Sequence, residues 1–191
     1  MFKEQNPSKK GTIPSRAECY RLLEEFRVPP HIVAHCEKVA KVAVFLAKHL
    51  VEKGEPINIP LVEAGGLLHD LTKHLSLKTG ENHAQSAARI LRERGYPEVA
   101  NVVAQHIFLK PGPPGSPIRE EELVYYADKR VMHTKIVPLK VRFEDLRARY
   151  GKTVSSLIRL YNLEEMTKLL ERRIFKRLDF GPEKIQELDD D

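Results

Sequence analysis

The 191-residue sequence has no tryptophan, and only 7% of its residues are aromatic. Such scarcity weighs against a large protein–protein interface built on aromatic anchors. The two cysteines, Cys19 and Cys36, form no CxxC pair, so no disulfide framework is indicated and we expect an intracellular, cytoplasmic protein. The N-terminus has no apolar signal segment, and no apolar run approaches bilayer-spanning length. We therefore expect no membrane partner.

Several catalytic signatures are also missing. The sequence contains no P-loop, no Gly-rich dinucleotide fingerprint and no serine nucleophile elbow, and neither cysteine has an obvious local base. The charge is modestly basic, with 32 lysines and arginines against 27 aspartates and glutamates. A basic protein tends to meet anions such as nucleotides, phosphoesters or RNA. On charge alone, however, a solubility surface with a few extra lysines is the simpler interpretation.

Apolar residues recur at steps of three and four along most of the chain, which predicts helices. No convincing period-two alternation appears, nor any internal repeat, so the sequence predicts an all-α fold. We expect a first helix that begins at Ser15 and ends before Val28. Further helices are expected at about 31–53, 60–73 and 81–94, then from Pro97, from 119, and two or three beyond Pro138, of which the longest carries Leu163 to Leu178. The proline- and glycine-rich stretch 110–117 predicts a loop.

The most informative residues are the adjacent His69 and Asp70, which lie in an apolar stretch, 67–73, that predicts a buried helix. Four more residues of the same two types fall on apolar helix faces, namely His35, His83, His106 and Asp128. A single inward histidine or aspartate is usually a hydrogen-bonded core residue. Two buried carboxylates near several imidazoles, however, make little sense as packing alone. A divalent cation would neutralise the carboxylates and hold the histidines neutral.

The four remaining histidines can be compared with the candidate ligands. They are His31, His49, His74 and His133, and they lie at helix ends or off the main apolar stripes. We therefore expect them at the surface or beside the site, not among the ligands.

The ordered set of His35, His69-Asp70, His83, His106 and Asp128 resembles the HD-domain metal-dependent phosphohydrolases. The resemblance is closest to a bacterial branch of small HD proteins that includes the diadenosine tetraphosphate hydrolases, which also carry a lysine three residues after the His-Asp pair. It covers roughly the middle half of the chain, and the part from about 134 to 191 departs from it. It implies a single helical HD-domain bundle at 15–135, after a flexible N-terminus at 1–14, with a C-terminal helical extension at 136–191 packed on it.

The resemblance also implies roles for individual residues. A first metal ion would be held by His35, His69, Asp70 and Asp128, and Asp70 would bridge to a second ion completed by His83 and His106. Asp70 and Lys73 would be catalytic, and Lys73, Lys129 and Arg130 would contact a substrate phosphate. For Lys73, a solvated lysine at a helix C-terminus is an equally good interpretation. A histidine–carboxylate shell suits one or two ions of iron, manganese, zinc, nickel or cobalt better than magnesium.

The sequence thus predicts a metal-dependent phosphohydrolase that cleaves a phosphoric ester or anhydride in a nucleotide or dinucleoside polyphosphate with metal-activated water. An alternative is a metal-loaded nucleotide- or RNA-binding module without turnover, which the basic pairs Arg172-Arg173 and Lys176-Arg177 motivate. Cyclic dinucleotide cleavage is a further alternative, although the extra motifs of that branch are not visible. We expect a small-molecule nucleotide partner in preference to a nucleic acid, and a monomer or homodimer.

Overall fold

The computed structural model describes residues 13–113 and 115–189, except for the side chains of residues 77 and 78. Apart from its last two residues, the predicted flexible N-terminus at 1–14 lies outside the described residues. Within the described ranges, no helix combines the length and the apolar character that a membrane span requires.

The described residues form a helical protein with one small hairpin. The helices are α1 (Arg16–Glu25), α2 (Pro30–Glu52), α3 (Ile59–Leu68), α4 (Lys73–Thr79), α5 (His83–Glu93), α6 (Pro97–Val103), α7 (Glu120–Arg130), α8 (Leu139–Tyr150) and α9 (Val154–Phe175), followed by a 3-10 helix (Pro182–Asp189). Strands β1 (Val131–Met132) and β2 (Lys135–Ile136) pair antiparallel between α7 and α8. The all-α prediction is confirmed. The hairpin was not predicted, because strands of two residues give no period-two pattern.

Helix α1 begins where the sequence predicted it. The amide of Ser15 donates to Glu18 Oε2 over 2.9 Å, and the amide of Glu18 donates to Ser15 Oγ over 3.3 Å. This reciprocal capping box satisfies two backbone donors that a helix start otherwise leaves unpaired.

Helix α2 lies at the centre of the core and packs against α3 and α7. Its predicted apolar face is buried, including Cys36, Val39 and Leu46, which are fully inaccessible to solvent. Both cysteines are buried free thiols, as expected for a chain without a disulfide framework. Since α2 also carries His35, its packing fixes that residue relative to α3 and α7.

Two adjacent glycines bring α3 close to its neighbours. A Cβ atom placed on Gly66 would lie 2.7 Å from the Cα atom of Ala40 in α2. A Cβ atom on Gly65 would lie 2.6 Å from Val102 Cγ1 in α6. The C-terminal end of α3 is therefore held between α2 and α6, and this end carries the His-Asp pair into the core.

The end of α3 differs from the prediction, which placed it near Lys73. The helix ends at Leu68, His69 is its C-cap, and a new helix begins at Lys73. Between the two helices the amide of Leu71 bonds the carbonyl of Leu68 and the amide of Lys73 bonds that of Asp70, which are tight three-residue turns. The His-Asp pair thus lies on a turn between two helices and not in a helix interior.

Helices α8 and α9 are joined by a short loop and pack against each other, and both pack against α7. Helix α9 contains the predicted Leu163 but ends at Phe175, before Leu178. It begins at Val154, where Thr153 caps its N-terminus by accepting a bond from the Ser156 amide. Arg147 of α8 forms an ion pair with the buried Glu164 of α9. These two helices make up most of the predicted C-terminal extension, and the proposed division at residue 135 stays a prediction.

Candidate metal centre

The structure brings together all six of the predicted metal-binding side chains. They come from α2, from the turn after α3, from the first residue of α5, from the turn after α6, and from α7, as His35, His69, Asp70, His83, His106 and Asp128. Five of them are buried, and the sixth, His83, is partly exposed. Helix ends supply four of the six, which explains how one small volume can receive so many polar groups.

The carboxylate of Asp70 lies between two groups of imidazoles. Its Oδ2 atom is 3.5 Å from His69 Nε2 and 3.9 Å from His35 Nε2. Its Oδ1 atom is 3.3 Å from His83 Nε2 and 3.5 Å from His106 Nε2. Each set of three residues has its donor atoms within 4.8 Å of one another, close enough to share an ion.

Asp128 joins the first of these groups. Its Oδ1 atom is 3.1 Å from His35 Nε2 and 3.8 Å from His69 Nε2. The first group therefore offers two imidazole nitrogens and two carboxylates, and the second offers two imidazoles and the other oxygen of Asp70. This is the division that the sequence resemblance implied.

Backbone carbonyls fix the orientation of three of the imidazoles. The Nδ1 atoms of His35, His69 and His106 each lie 2.8 Å from a carbonyl oxygen, those of His133, Gly66 and Val103. Because a carbonyl only accepts, Nδ1 carries a hydrogen in each ring, and Nε2 is the nitrogen that faces the cluster. The carbonyls of Gly66 and Val103 are available because they lie in the last turns of α3 and α6.

Two buried polar atoms at the centre have no hydrogen-bond partner among the described residues, namely His69 Nε2 and Asp70 Oδ1. A buried polar atom without a partner costs roughly 1–3 kcal/mol, and more if it is charged. The two atoms belong to different donor sets and face the interior of the cluster. A divalent cation in each set would satisfy them, so the residues fit a metal site.

The electrostatics of the two carboxylates favour their ionised forms. Burial raises the pKa of Asp70, but His69 and Lys73 outweigh burial and hold that pKa well below its ordinary value. Burial likewise raises the pKa of Asp128, and Lys129 and other neighbouring cations bring it well below the ordinary value. Both side chains are thus carboxylates at neutral pH, which is the form that binds metal.

The two most buried imidazoles differ from each other. Burial lowers the pKa of His106 to about 4, so its ring is neutral at pH 7 and ready to bind a cation. Burial also lowers the pKa of His69, but the Asp70 carboxylate outweighs it and raises that pKa well above the ordinary value. A cation that binds at His69 must therefore displace a proton.

Both of the predicted phosphate-binding lysines lie at the centre. Lys73 Nζ is 2.6 Å from Asp70 Oδ2, and about a third of this side chain is exposed. Lys129 Nζ is 2.6 Å from Asp128 Oδ2 and also donates to the carbonyl of His106, and its side chain is buried. Lys73 is the first residue of α4, so the alternative of a solvated lysine at a helix C-terminus does not describe its position.

The structure places Arg130 away from the cluster. Its Nε donates to the carbonyl of Val137 over 2.8 Å, and its Nη1 donates to the hydroxyl of Tyr126 over 2.6 Å. It is 2% exposed and lines a different cavity, beside Pro138 and Pro182. Its guanidinium therefore connects α7 to Val137, the residue after the hairpin.

Neither candidate ligand set contains any of the other histidines among the described residues. His49 packs against the rings of Phe45 and Phe180, and His31 is exposed at the start of α2. His133 contributes its carbonyl to His35, which agrees with the expected place beside the site.

A cavity of about 400 Å³ opens beside the cluster. Its lining includes metal-site residues with Lys73 and Lys129, the segment Ile107-Phe108 after His106, and residues from α8 and α9. The α8 residues among them include Arg142, which is 9% exposed and whose Nη2 lies 4.0 Å from Asp128 Oδ1.

Arg142 was not among the predicted site residues, although the sequence around it indicates a buried position. Leu139, Arg142 and Leu146 follow one another at steps of three and four, which puts the arginine on an inward face of α8. An arginine on such a face needs a partner in the interior.

These observations define a class, a helical protein with a buried histidine–aspartate cluster that can hold one or two divalent cations. The HD domain family model matches residues 32–180. The chain belongs to the HD-domain family, whose members are generally metal-dependent hydrolases. The match includes α8 and most of the residues that follow it.

Two curated proteins are similar to this chain. An uncharacterised protein of Methanocaldococcus jannaschii is 33% identical over 155 residues, which cover 74% of this chain and 90% of the relative. The tRNA (cytidine(56)-2'-O)-methyltransferase of Picrophilus torridus is 29% identical over 142 residues, which cover 67% of this chain but only 39% of that enzyme. No solved structure matches the chain.

Proposed function

We propose that this protein is a metal-dependent phosphohydrolase that acts on a nucleotide or a dinucleoside polyphosphate. The observation that carries the proposal is the position of Asp70, whose two oxygens face two separate sets of imidazoles. A carboxylate shared in this way is suited to hold two cations side by side, an arrangement common in enzymes that hydrolyse phosphate esters and anhydrides.

Bound divalent ions would attract the phosphoryl oxygens of a substrate and lower the pKa of a neighbouring water. The protein's own side chains have separate tasks around them. Lys73 is partly exposed to the cavity, and its ammonium group can bind a phosphate oxygen while it also holds Asp70. Lys129 is buried between Asp128 and the carbonyl of His106, so we assign it a positioning role.

The first test is elemental analysis of protein purified without chelator, followed by assays on nucleotides and dinucleoside polyphosphates with added manganese or iron. We expect bound transition metal and hydrolysis, both of which Asp70→Asn should remove. Lys73→Gln should keep the metal and lose most of its turnover, since it leaves every proposed ligand in place. Full turnover by a metal-free preparation would end the proposal.

An RNA-binding module without turnover is the second candidate, and the observation that favours it is the similarity to an enzyme named for tRNA. The basic C-terminal residues support it less than the sequence suggested. Arg173 is paired with Glu122 over 2.8 Å, and Arg177 with Glu55 over 2.7 Å, so these two guanidinium groups are already engaged. Tight RNA binding that falls steeply with salt, without hydrolysis, would favour this candidate.

A further inference from the structure

Arg142 is a buried cation with spare hydrogen-bonding capacity. Its Nη1 donates to Asp145 Oδ2 over 3.2 Å, but its buried Nε has no partner among the described residues. Burying a charged donor without a partner is costly, whereas a guanidinium binds a phosphate with well-directed hydrogen bonds. Arg142 lines the cavity, and its Nη2 lies 4.0 Å from Asp128 Oδ1, so an oxyanion held at the metal centre would lie close to this guanidinium.

The position of Arg142 is fixed by its neighbours. Asp145 also accepts a bond from Arg149 Nε over 2.8 Å, and Arg149 Nη2 lies 3.0 Å from His133 Nε2. Arg142 is thereby connected to the same hairpin that orients His35. A donor held in this way loses little conformational entropy when it binds a ligand.

Two exposed aromatic rings also line the cavity. Phe108 is 48% exposed and Tyr150 is 57% exposed, and both line the cavity. The guanidinium of Arg159 lies over the Phe108 ring, 5.9 Å from its centroid. Exposed aromatic rings and arginine planes are the surfaces on which nucleobases stack.

We infer that α8, α9 and Phe108 form a recognition wall for nucleoside phosphates. Arg142 binds an oxygen of the phosphoryl group at the metal centre, and Phe108, with Arg159 and Tyr150, stacks the base at the cavity rim. This inference rests on the proposed function and goes further, because it assigns substrate selection to side chains outside the metal cluster. It predicts a preference for phosphates that carry a base over phosphates that do not.

The test compares adenosine diphosphate with two base-free compounds, ribose 5-phosphate and pyrophosphate, on the manganese-loaded protein. Phe108→Ala should lower kcat/KM for adenosine diphosphate roughly 10-fold, within the range that base stacking supports, and leave the base-free compounds unchanged. The matched control is Tyr161→Ala, since Tyr161 is 55% exposed and also has an arginine over its ring, but it does not line the cavity.

Arg142→Gln should lower kcat/KM about 10- to 100-fold for all three compounds, as expected for the loss of a charge-assisted hydrogen bond, and Arg142→Lys should recover part of it. Lys140→Gln removes an exposed charge from the same helix and serves as the control. Metal content and melting temperature are measured for each variant, to show that it folds and keeps the metal centre.

The outcomes separate this inference from the proposed function. If the wild type hydrolyses all three compounds equally well and neither variant differs from it, the recognition wall is wrong and the hydrolase stands. If neither these compounds nor the nucleotides and dinucleoside polyphosphates of the first test are hydrolysed, the proposed function is wrong, and calorimetry then tests the inference. Tighter binding of adenosine diphosphate than of ribose 5-phosphate, lost in Phe108→Ala, would support the recognition wall, and equal or absent binding would overturn it.

Discussion

His35 Nδ1 donates to the backbone carbonyl of His133, 98 residues further along the chain, over 2.8 Å. His133 lies in the turn between β1 and β2 and has a left-handed backbone, with φ of 57°. The bond connects the small hairpin to the first set of candidate ligands. It fixes the imidazole so that Nε2 points to Asp128. The hairpin therefore helps to position a candidate ligand of the proposed site.

This relationship makes the carbonyl of His133 more important to the site than its ring. We expect His133→Gly to keep its metal, because glycine adopts the left-handed backbone without strain. His133→Ala should be about 1 kcal/mol less stable than His133→Gly, since a Cβ atom is disfavoured in that conformation. Denaturant unfolding and elemental analysis provide the measurements. Loss of metal in His133→Gly would show instead that the ring is required.

The shared carboxylate predicts how metal content depends on single ligands. Asp70→Asn should reduce bound metal to near zero, because both donor sets use this residue. His83→Gln should remove the second ion only and keep roughly half of the metal if the wild type binds two, since divalent sites rely on several ligands acting together. Elemental analysis of both variants beside the wild type checks this. Equal metal content in the two variants would argue against a shared Asp70.

Glu122 provides a pH prediction away from the metal centre. Its side chain is fully buried, and it accepts bonds from the amides of Gly112 and Arg119 and from Arg173 Nη1. Burial raises its pKa, but Arg173 and the two amides outweigh burial, so the net shift is downward from the ordinary value. A folded-state pKa below the unfolded one stabilises the protein above the unfolded pKa, and this stability is lost as pH falls through the folded pKa.

We therefore expect Glu122→Gln to be destabilised by roughly 3–5 kcal/mol at pH 7, as for the loss of one partner of a buried charged pair. The difference from the wild type should shrink as pH falls below the ordinary glutamate pKa of about 4.3. Urea unfolding of both proteins between pH 7 and pH 3.5 measures it. A difference that stays constant over this range would show that the charge of Glu122 does not matter.

The sequence predicted the inward-facing ligands because apolar neighbours at steps of three and four mark one face of a helix. It placed Lys129 and Arg130 at the site only because they adjoin Asp128, yet successive helical residues point about 100° apart. Lys129 reaches the cluster through its long side chain, and Arg130 bonds to Val137 instead. Adjacency in sequence therefore says little about shared function on a helix.

The sequence did not predict that α3 ends at Leu68. The apolar pattern continues from Leu68 to Leu71, but the backbone changes to three-residue turns, which keep similar spacing of buried residues. Arg142 was missed because a charged residue is normally assigned to the surface. In both cases tertiary contacts outweigh the local pattern.

Gly66 packs against Ala40 of α2, and its carbonyl oxygen also orients the ring of His69. Alanine favours a helix by about 1 kcal/mol over glycine, so Gly66→Ala should stabilise an isolated α3. In the folded protein its Cβ atom would lie 2.7 Å from the Cα atom of Ala40, and a backbone atom cannot move aside as a flexible side chain can. We expect a net loss of roughly 1–3 kcal/mol, typical of overpacking.

The same substitution should also weaken metal binding, because the carbonyl of Gly66 holds His69 Nδ1 and must move with the displaced helix. Gly54→Ala is the matched control. Gly54 has φ of 87° and open space around its Cα atom, so alanine there is strained but touches nothing near the cluster. Both variants should lower the melting temperature, and only Gly66→Ala should weaken manganese binding in a titration. If Gly66→Ala binds manganese as tightly as Gly54→Ala does, the packing of α3 on α2 does not position His69.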